Sequence, residues 1–79
     1  MIISWQAYSE TVDRRNYYGW HTVINGTTFW IAQGDIPTCL YMGRHGRNLL
    51  VLFASADTIK AMSAAEIMGR VTRATDAEA

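Results

Sequence analysis

Trp20-His21-Thr22-Val23-Ile24-Asn25-Gly26-Thr27-Thr28-Phe29-Trp30-Ile31 is the stretch that decides the fold. A two-residue hairpin turn needs positive φ at both central positions, which Asn-Gly tolerates best. The flanks are β-branched or aromatic, the residue types that a pleated, half-buried surface prefers. A turn at Asn25-Gly26 also sets the register. Ile24 faces Thr27, Val23 faces Thr28, Thr22 faces Phe29, His21 faces Trp30 and Trp20 faces Ile31. One face then carries Trp20, Thr22, Ile24, Thr27, Phe29 and Ile31, the more apolar set, and is assigned to the core. The other carries His21, Val23, Thr28 and Trp30.

Upstream, Ile2 to Tyr8 alternates, with Ile3, Trp5 and Ala7 on one side, and reads as a strand. A helix beginning at Ser4, with Trp5, Tyr8 and Val12 on one face, competes with it. Ser9 to Asn16 is polar, carries Asp13, Arg14 and Arg15, and reads as a connection. Downstream, Gln33-Gly34-Asp35-Ile36-Pro37 breaks the pattern, because Pro lacks the donor a central strand needs. Thr38 to Met42 resumes as a short strand and Gly43 to Asn48 is a polar turn. The continuous apolar run Leu49 to Phe53 suits a strand buried on both faces, although its periodicity also fits a buried helix.

From Asp57 the composition shifts to helix formers, with Asp57 itself suited to an N-cap. Ile59 and Met62 share a face, as do Ile67, Met68 and Val71. Ser63-Ala64-Ala65-Glu66 is a capping-box pattern, marking either a fresh helix start or a kink. Strands followed by a helical run predict an α+β fold: an antiparallel β-meander with a C-terminal helix packed on one face. Residues 1–74 form one compact domain in this reading, and 75–79 form a frayed tail.

The chain has 79 residues, seven basic and seven acidic side chains, and 49% hydrophobic residues. That length suits a single domain, and that balance excludes a basic arm that coats nucleic acid or an acidic chain that imitates it. A core this small holds only ~3–5 kcal/mol of net stability unless packing is good or a partner helps, which leaves room for a homo-oligomer. The start Met-Ile-Ile-Ser-Trp-Gln has no basic lead and apolar core, so no secretory signal is expected. No apolar run approaches the ~20 residues of a membrane span. A lone cysteine, Cys39, allows no intrachain disulfide. These features together predict a cytoplasmic protein with no membrane association.

No constellation names a reaction. Cys39 and His45 are the nucleophile and base nearest in sequence, yet no carboxylate is placed to orient the histidine, and the apolar setting should raise the thiol pKa. Two histidines and one cysteine without close pairing do not close a zinc tetrahedron. Neither enzyme activity, cofactor nor metal is expected. Charge is more informative. In an up-and-down meander the Arg44–Arg47 turn shares an end with Asn25-Gly26, and a returning helix brings Arg70 and Arg73, in its last turn, towards Arg44, His45 and Arg47. That basic corner suits phosphate or an acidic protein patch. His21 and Trp30, facing away from the helix, form a second contact patch, since exposed Trp is an efficient anchor.

Two resemblances follow. Gly43-Arg44-His45-Gly46 resembles the G-x-x-G segment of KH domains, which implies a clamp on single-stranded nucleic acid. The helix that family places before the loop is occupied here by Gly34, Pro37 and β-formers, so a polar hairpin turn is the better reading. As a whole, a short chain without enzyme motifs, rich in aromatic residues and preferring Arg to Lys, resembles the small anti-CRISPR proteins of phages and other mobile elements, those acting on type I-C effectors in particular. That resemblance implies a non-enzymatic inhibitor that docks on a type I effector (Cascade) complex in the host cytoplasm and blocks target DNA binding or nuclease recruitment. The alternative is a small nucleic-acid-binding module using the Gly43–Gly46 loop with Arg70 and Arg73.

Overall fold

In the computed structural model, which describes residues 3–34, 36–44 and 47–78, five antiparallel strands form one sheet in sequence order. They are β1 (Gln6–Val12), β2 (Arg15–Ile24), β3 (Thr27–Gly34), β4 (Cys39–Arg44) and β5 (Arg47–Phe53). Two helices follow, α1 (Ala56–Lys60) and α2 (Ala64–Glu78). The chain is therefore an α+β meander with its C-terminal helix packed against β5.

The Asn25-Gly26 turn has φ of 51° and 77°, as a tight hairpin requires. All five cross-strand pairs expected from it are present, from Ile24↔Thr27 to Trp20↔Ile31. Alternation then sorts the side chains. Phe29 and Ile31 are fully buried, with Ile24 and Thr22 close behind, while Val23 on the opposite face is 62% exposed. The core continues through Leu40, Met42, Leu49 and Val51, and Ile59, Ile67 and Val71 close it from the helices.

The first strand lies later than the alternation of Ile2 to Tyr8 suggested. Ile3 and Trp5 precede β1 and pack on the core edge, where the Thr22 hydroxyl donates to the Ser4 carbonyl at 2.8 Å. Ser9 to Asn16 is not a connection. It supplies the end of β1, a two-residue turn at Asp13-Arg14 with φ of 51° and 67°, and the start of β2. An edge hairpin facing water on both sides has no need of apolar residues, so its polarity imitates a loop.

Leu49 to Phe53 also departs from expectation. It forms the outer edge of the sheet, with Leu50 and Phe53 exposed and only one face covered. A register shift against β4 between Leu40 and Tyr41 lets Val51 and Leu52 both lean on the core, which is why the run reads as apolar throughout.

The helical segment splits in two. Ser55, not Asp57, caps α1, its hydroxyl accepting from the Thr58 N–H at 3.2 Å. Ser63 opens α2 with a complete capping box: its N–H donates to Glu66 Oε1 at 3.2 Å, and its Oγ accepts from the Glu66 N–H at 3.1 Å. Residues 75–78, expected to fray, continue α2, which Ala74 anchors on the core. Lys60 of α1 places its ammonium 3.9 Å from the centre of the Trp20 ring, a cation–π contact tying the short helix to the sheet. Among the described residues no helix is long and apolar enough to cross a membrane.

Candidate functional site: the uncovered face of the sheet

Both helices pack on one face, so the side chains of the other have no helical cover. The strand registers arrange them in rows. One row runs Gln6, His21, Trp30, Tyr41, Leu50; the next runs Tyr8, Gly19, Ala32, Cys39, Phe53; a third holds Glu10, Tyr17 and Gly34. The middle row is small at its three central positions. Trp30 and Tyr41 stand on one side of it, Tyr17 on the other and Tyr8 at its β1 end. Neighbouring rows on one face lie ~7 Å apart, so the small row becomes the floor of a trough between aromatic walls.

The result is an open cavity of about 630 Å³, walled by Tyr8, Tyr17, Trp30 and Tyr41 and rimmed by Glu10 and Arg15. That volume lies in the range of small-ligand and side-chain pockets. Gly19 is the point of closest approach: a Cβ there would run into the Ile31 carbonyl oxygen, so only glycine lets the two strands meet under Tyr8. The Trp30 indole lies across Gly43, whose added Cβ would sit 3.3 Å from its Cη2 and Cζ3. His21 meets the Tyr8 ring edge-on, with centroids 6.2 Å apart and planes at 71°. Trp30 and Tyr8 are thus each held against a neighbour within the chain itself.

The electrostatics of the trough are those of neutral donors. Burial pushes the Tyr8 hydroxyl above its ordinary pKa, helped by the Glu10 charge and by Cys39. Tyr41 is raised first by burial and then by Cys39, with which it shares a hydrogen bond. Cys39, in the small row, is 1% exposed. Burial raises its thiol pKa, and the hydrogen bond from Tyr41 works in the opposite direction. A thiol so placed packs against its neighbours, away from solvent. Among the described residues the trough therefore offers aromatic area, phenolic hydroxyls and one charge of each sign at its β1–β2 rim.

The sequence-derived site residues divide. His21 and Trp30 lie on this face as expected. Arg44 at the end of β4 pairs with Arg47 at the start of β5, and His45 and Gly46 lie outside the described residues. Arg70 and Arg73 do not sit in the last turn of a helix, because α2 runs on to Glu78. They line a separate cavity of about 530 Å³ with Leu52 and Phe53. Phe53 and Arg47 mark opposite ends of β5, ~20 Å apart at ~3.3 Å per residue, so the single basic corner becomes two separate basic features. Sequence reading missed Tyr8, Tyr17 and Tyr41. Their only signal is a spacing across strands, visible once the β1–β2 and β3–β4 registers are known. No protein-family model, curated protein or solved structure matches the chain.

Proposed function

We propose that this chain is a non-enzymatic binding protein that acts by docking the uncovered face of its sheet on a protein or nucleoprotein partner. The observation that carries this reading is the aromatic trough itself, with Trp30, Tyr8, Tyr17 and Tyr41 around one cavity. Trp and Tyr dominate interface energetics because they bury large area at low entropy cost, and Tyr adds a hydrogen bond at the rim. The thiol that a Cys-dependent enzyme would need is buried in the small row of the sheet. The target implied by the chain's resemblance to anti-CRISPR proteins is a type I effector complex in the host cytoplasm, which docking would stop from binding target DNA or recruiting its nuclease.

A nucleic-acid-binding module built on the Gly43–Gly46 loop with Arg70 and Arg73 has less support, since Gly43 and Arg44, the described part of that loop, pair with the start of β5 and the two arginines of α2 line a cavity at its Phe53 end. Base stacking in the aromatic trough would be the more natural route to a single strand.

The deciding experiment measures target-DNA binding by a purified type I-C effector as the chain is titrated in. Saturating loss at stoichiometric amounts is expected, and Trp30→Ala with Tyr41→Ala should weaken it by roughly tenfold or more while leaving a cooperative melt. Trp30→Ala alone should cost little stability, because the indole is only partly buried. An effector that neither binds the chain nor changes its DNA affinity rejects the target. Retention of short single-stranded DNA by the chain alone supports the nucleic-acid alternative.

A further inference from the structure

The strand order leaves β5 with a neighbour on one side only. Open edges are normally blunted by Lys, Pro or charge. The opposite edge, β1, carries the charge of Glu10 between polar Ser9 and Thr11 and exposes Val12 at its end, whereas β5 reads Arg-Asn-Leu-Leu-Val-Leu-Phe and exposes both Leu50 and Phe53.

A cavity of about 410 Å³ touches every residue from Leu49 to Phe53, together with Ala74 and Ala77 of α2. The buried Leu49 and Val51 line it as well as the exposed Leu50 and Phe53, so the cavity spans both faces and follows the edge itself. It shares Leu52 and Phe53 with the cavity that Arg70 and Arg73 line. Among the described residues, the one carboxylate bordering that second cavity is Glu66, which accepts from the Ser63 N–H at 3.2 Å. Backbone edge, apolar wall and cationic end thus lie in one line.

We propose that the free edge of β5 takes an extended, acidic segment of a partner protein as a sixth strand. Main-chain hydrogen bonds to β5 supply the pairing, and alternate apolar side chains pack on Leu50 and Phe53 or beside Ala74 and Ala77. Carboxylates of the segment meet Arg70 and Arg73. A second copy is the usual rival for an open edge, but charge disfavours it: β5 paired with its own copy brings Arg47 and no carboxylate to the seam. This surface lies on β5 and α2 and does not depend on the aromatic trough.

The test titrates the full-length, isotopically labelled chain with a peptide of about ten residues alternating valine and glutamate, and with its valine–lysine counterpart. The glutamate peptide is expected to move the amide signals of Leu49 to Phe53 and slow their hydrogen exchange, and the lysine peptide is not. Arg70→Glu with Arg73→Glu should weaken the response roughly tenfold, and Arg70→Gln with Arg73→Gln serves if the reversal disturbs α2. No response at β5, an equal response to the lysine peptide, or a response centred on β1 overturns the proposal. So does a dimeric mass for the free chain that Leu50→Lys returns to monomer, which would assign the edge to a second copy.

Discussion

The two faces of the sheet are made by the same strands and differ by a single step along the chain, as Phe29 and Trp30 illustrate. Phe29 is fully buried among Ile31, Met42 and the helices. Trp30, the next residue, is a partly buried wall of an open trough. One face is finished within the molecule and the other is not, although both are rich in large side chains. Hydrophobicity alone therefore does not separate core from contact surface here; what separates them is which face the helices cover. The largest break of this comparison is Phe29→Ala, which removes the most enclosed ring of the covered face. It should cost about 3–5 kcal/mol, close to the whole margin expected of so small a domain. Urea denaturation should find the variant largely unfolded, and a stable, cooperative Phe29→Ala would mean that the covered face is not the core.

A smaller effect is expected at the floor of the open face. Gly19→Ala puts a methyl group against the Ile31 carbonyl and should cost about 1–3 kcal/mol in backbone displacement. It sharpens the comparison because the damage comes from an exposed face without loss of any apolar contact. A thermal melt unchanged by Gly19→Ala would show that β2 and β3 do not approach as closely as the trough requires.

How much of this was legible in the sequence depended on local chemistry. The central hairpin was readable because Asn25-Gly26 carries its own turn geometry, and that turn sorted His21, Phe29 and Trp30 correctly. The capping box at Ser63 and Glu66 was readable for the same reason, since both hydrogen bonds are local. The first hairpin was not, because Asp13-Arg14 adopts the same backbone as Asn25-Gly26 without a glycine, and edge strands exposed on both sides look like loops. The exposed edge of β5 was concealed by a bulge that lets consecutive apolar residues face the core. The trough was half legible. Trp30 and His21 follow from one turn, whereas Tyr8, Tyr17 and Tyr41 join them only through registers that no local motif announces. The arginines were misplaced because their position rested on where α2 ends, and helix ends are the least local feature of the reading.

The cover itself can be loosened. Ser63→Ala removes the oxygen that accepts from the Glu66 N–H and leaves the reciprocal bond without its partner. A loss of ~1 kcal/mol is expected, felt as faster hydrogen exchange in the first turn of α2. The trough, to which neither helix contributes a lining residue, should keep its partner affinity in this variant. Equal losses of stability and binding would show that the two faces are coupled through the sheet.

The mildest test is pH, whose effect falls on the trough side of the sheet. Cys39, Tyr8 and Tyr41, all on the trough side, have pKa values raised in the folded chain, with burial the main cause for each. A folded state that holds its proton more tightly than the unfolded chain is fully stabilised below the unfolded pKa, which for the thiol is 9.0. That contribution is then lost as pH climbs through the folded value. Stability should accordingly be flat in these groups at neutral pH and fall above about 9 as the unfolded thiol ionises first. Cys39→Ala should flatten the onset of that fall without moving the neutral-pH melt far, since the site loses one sulfur from a closely packed floor. An alkaline transition identical in Cys39→Ala would place the thiol in water, and the trough would then have no sealed floor beneath its aromatic walls.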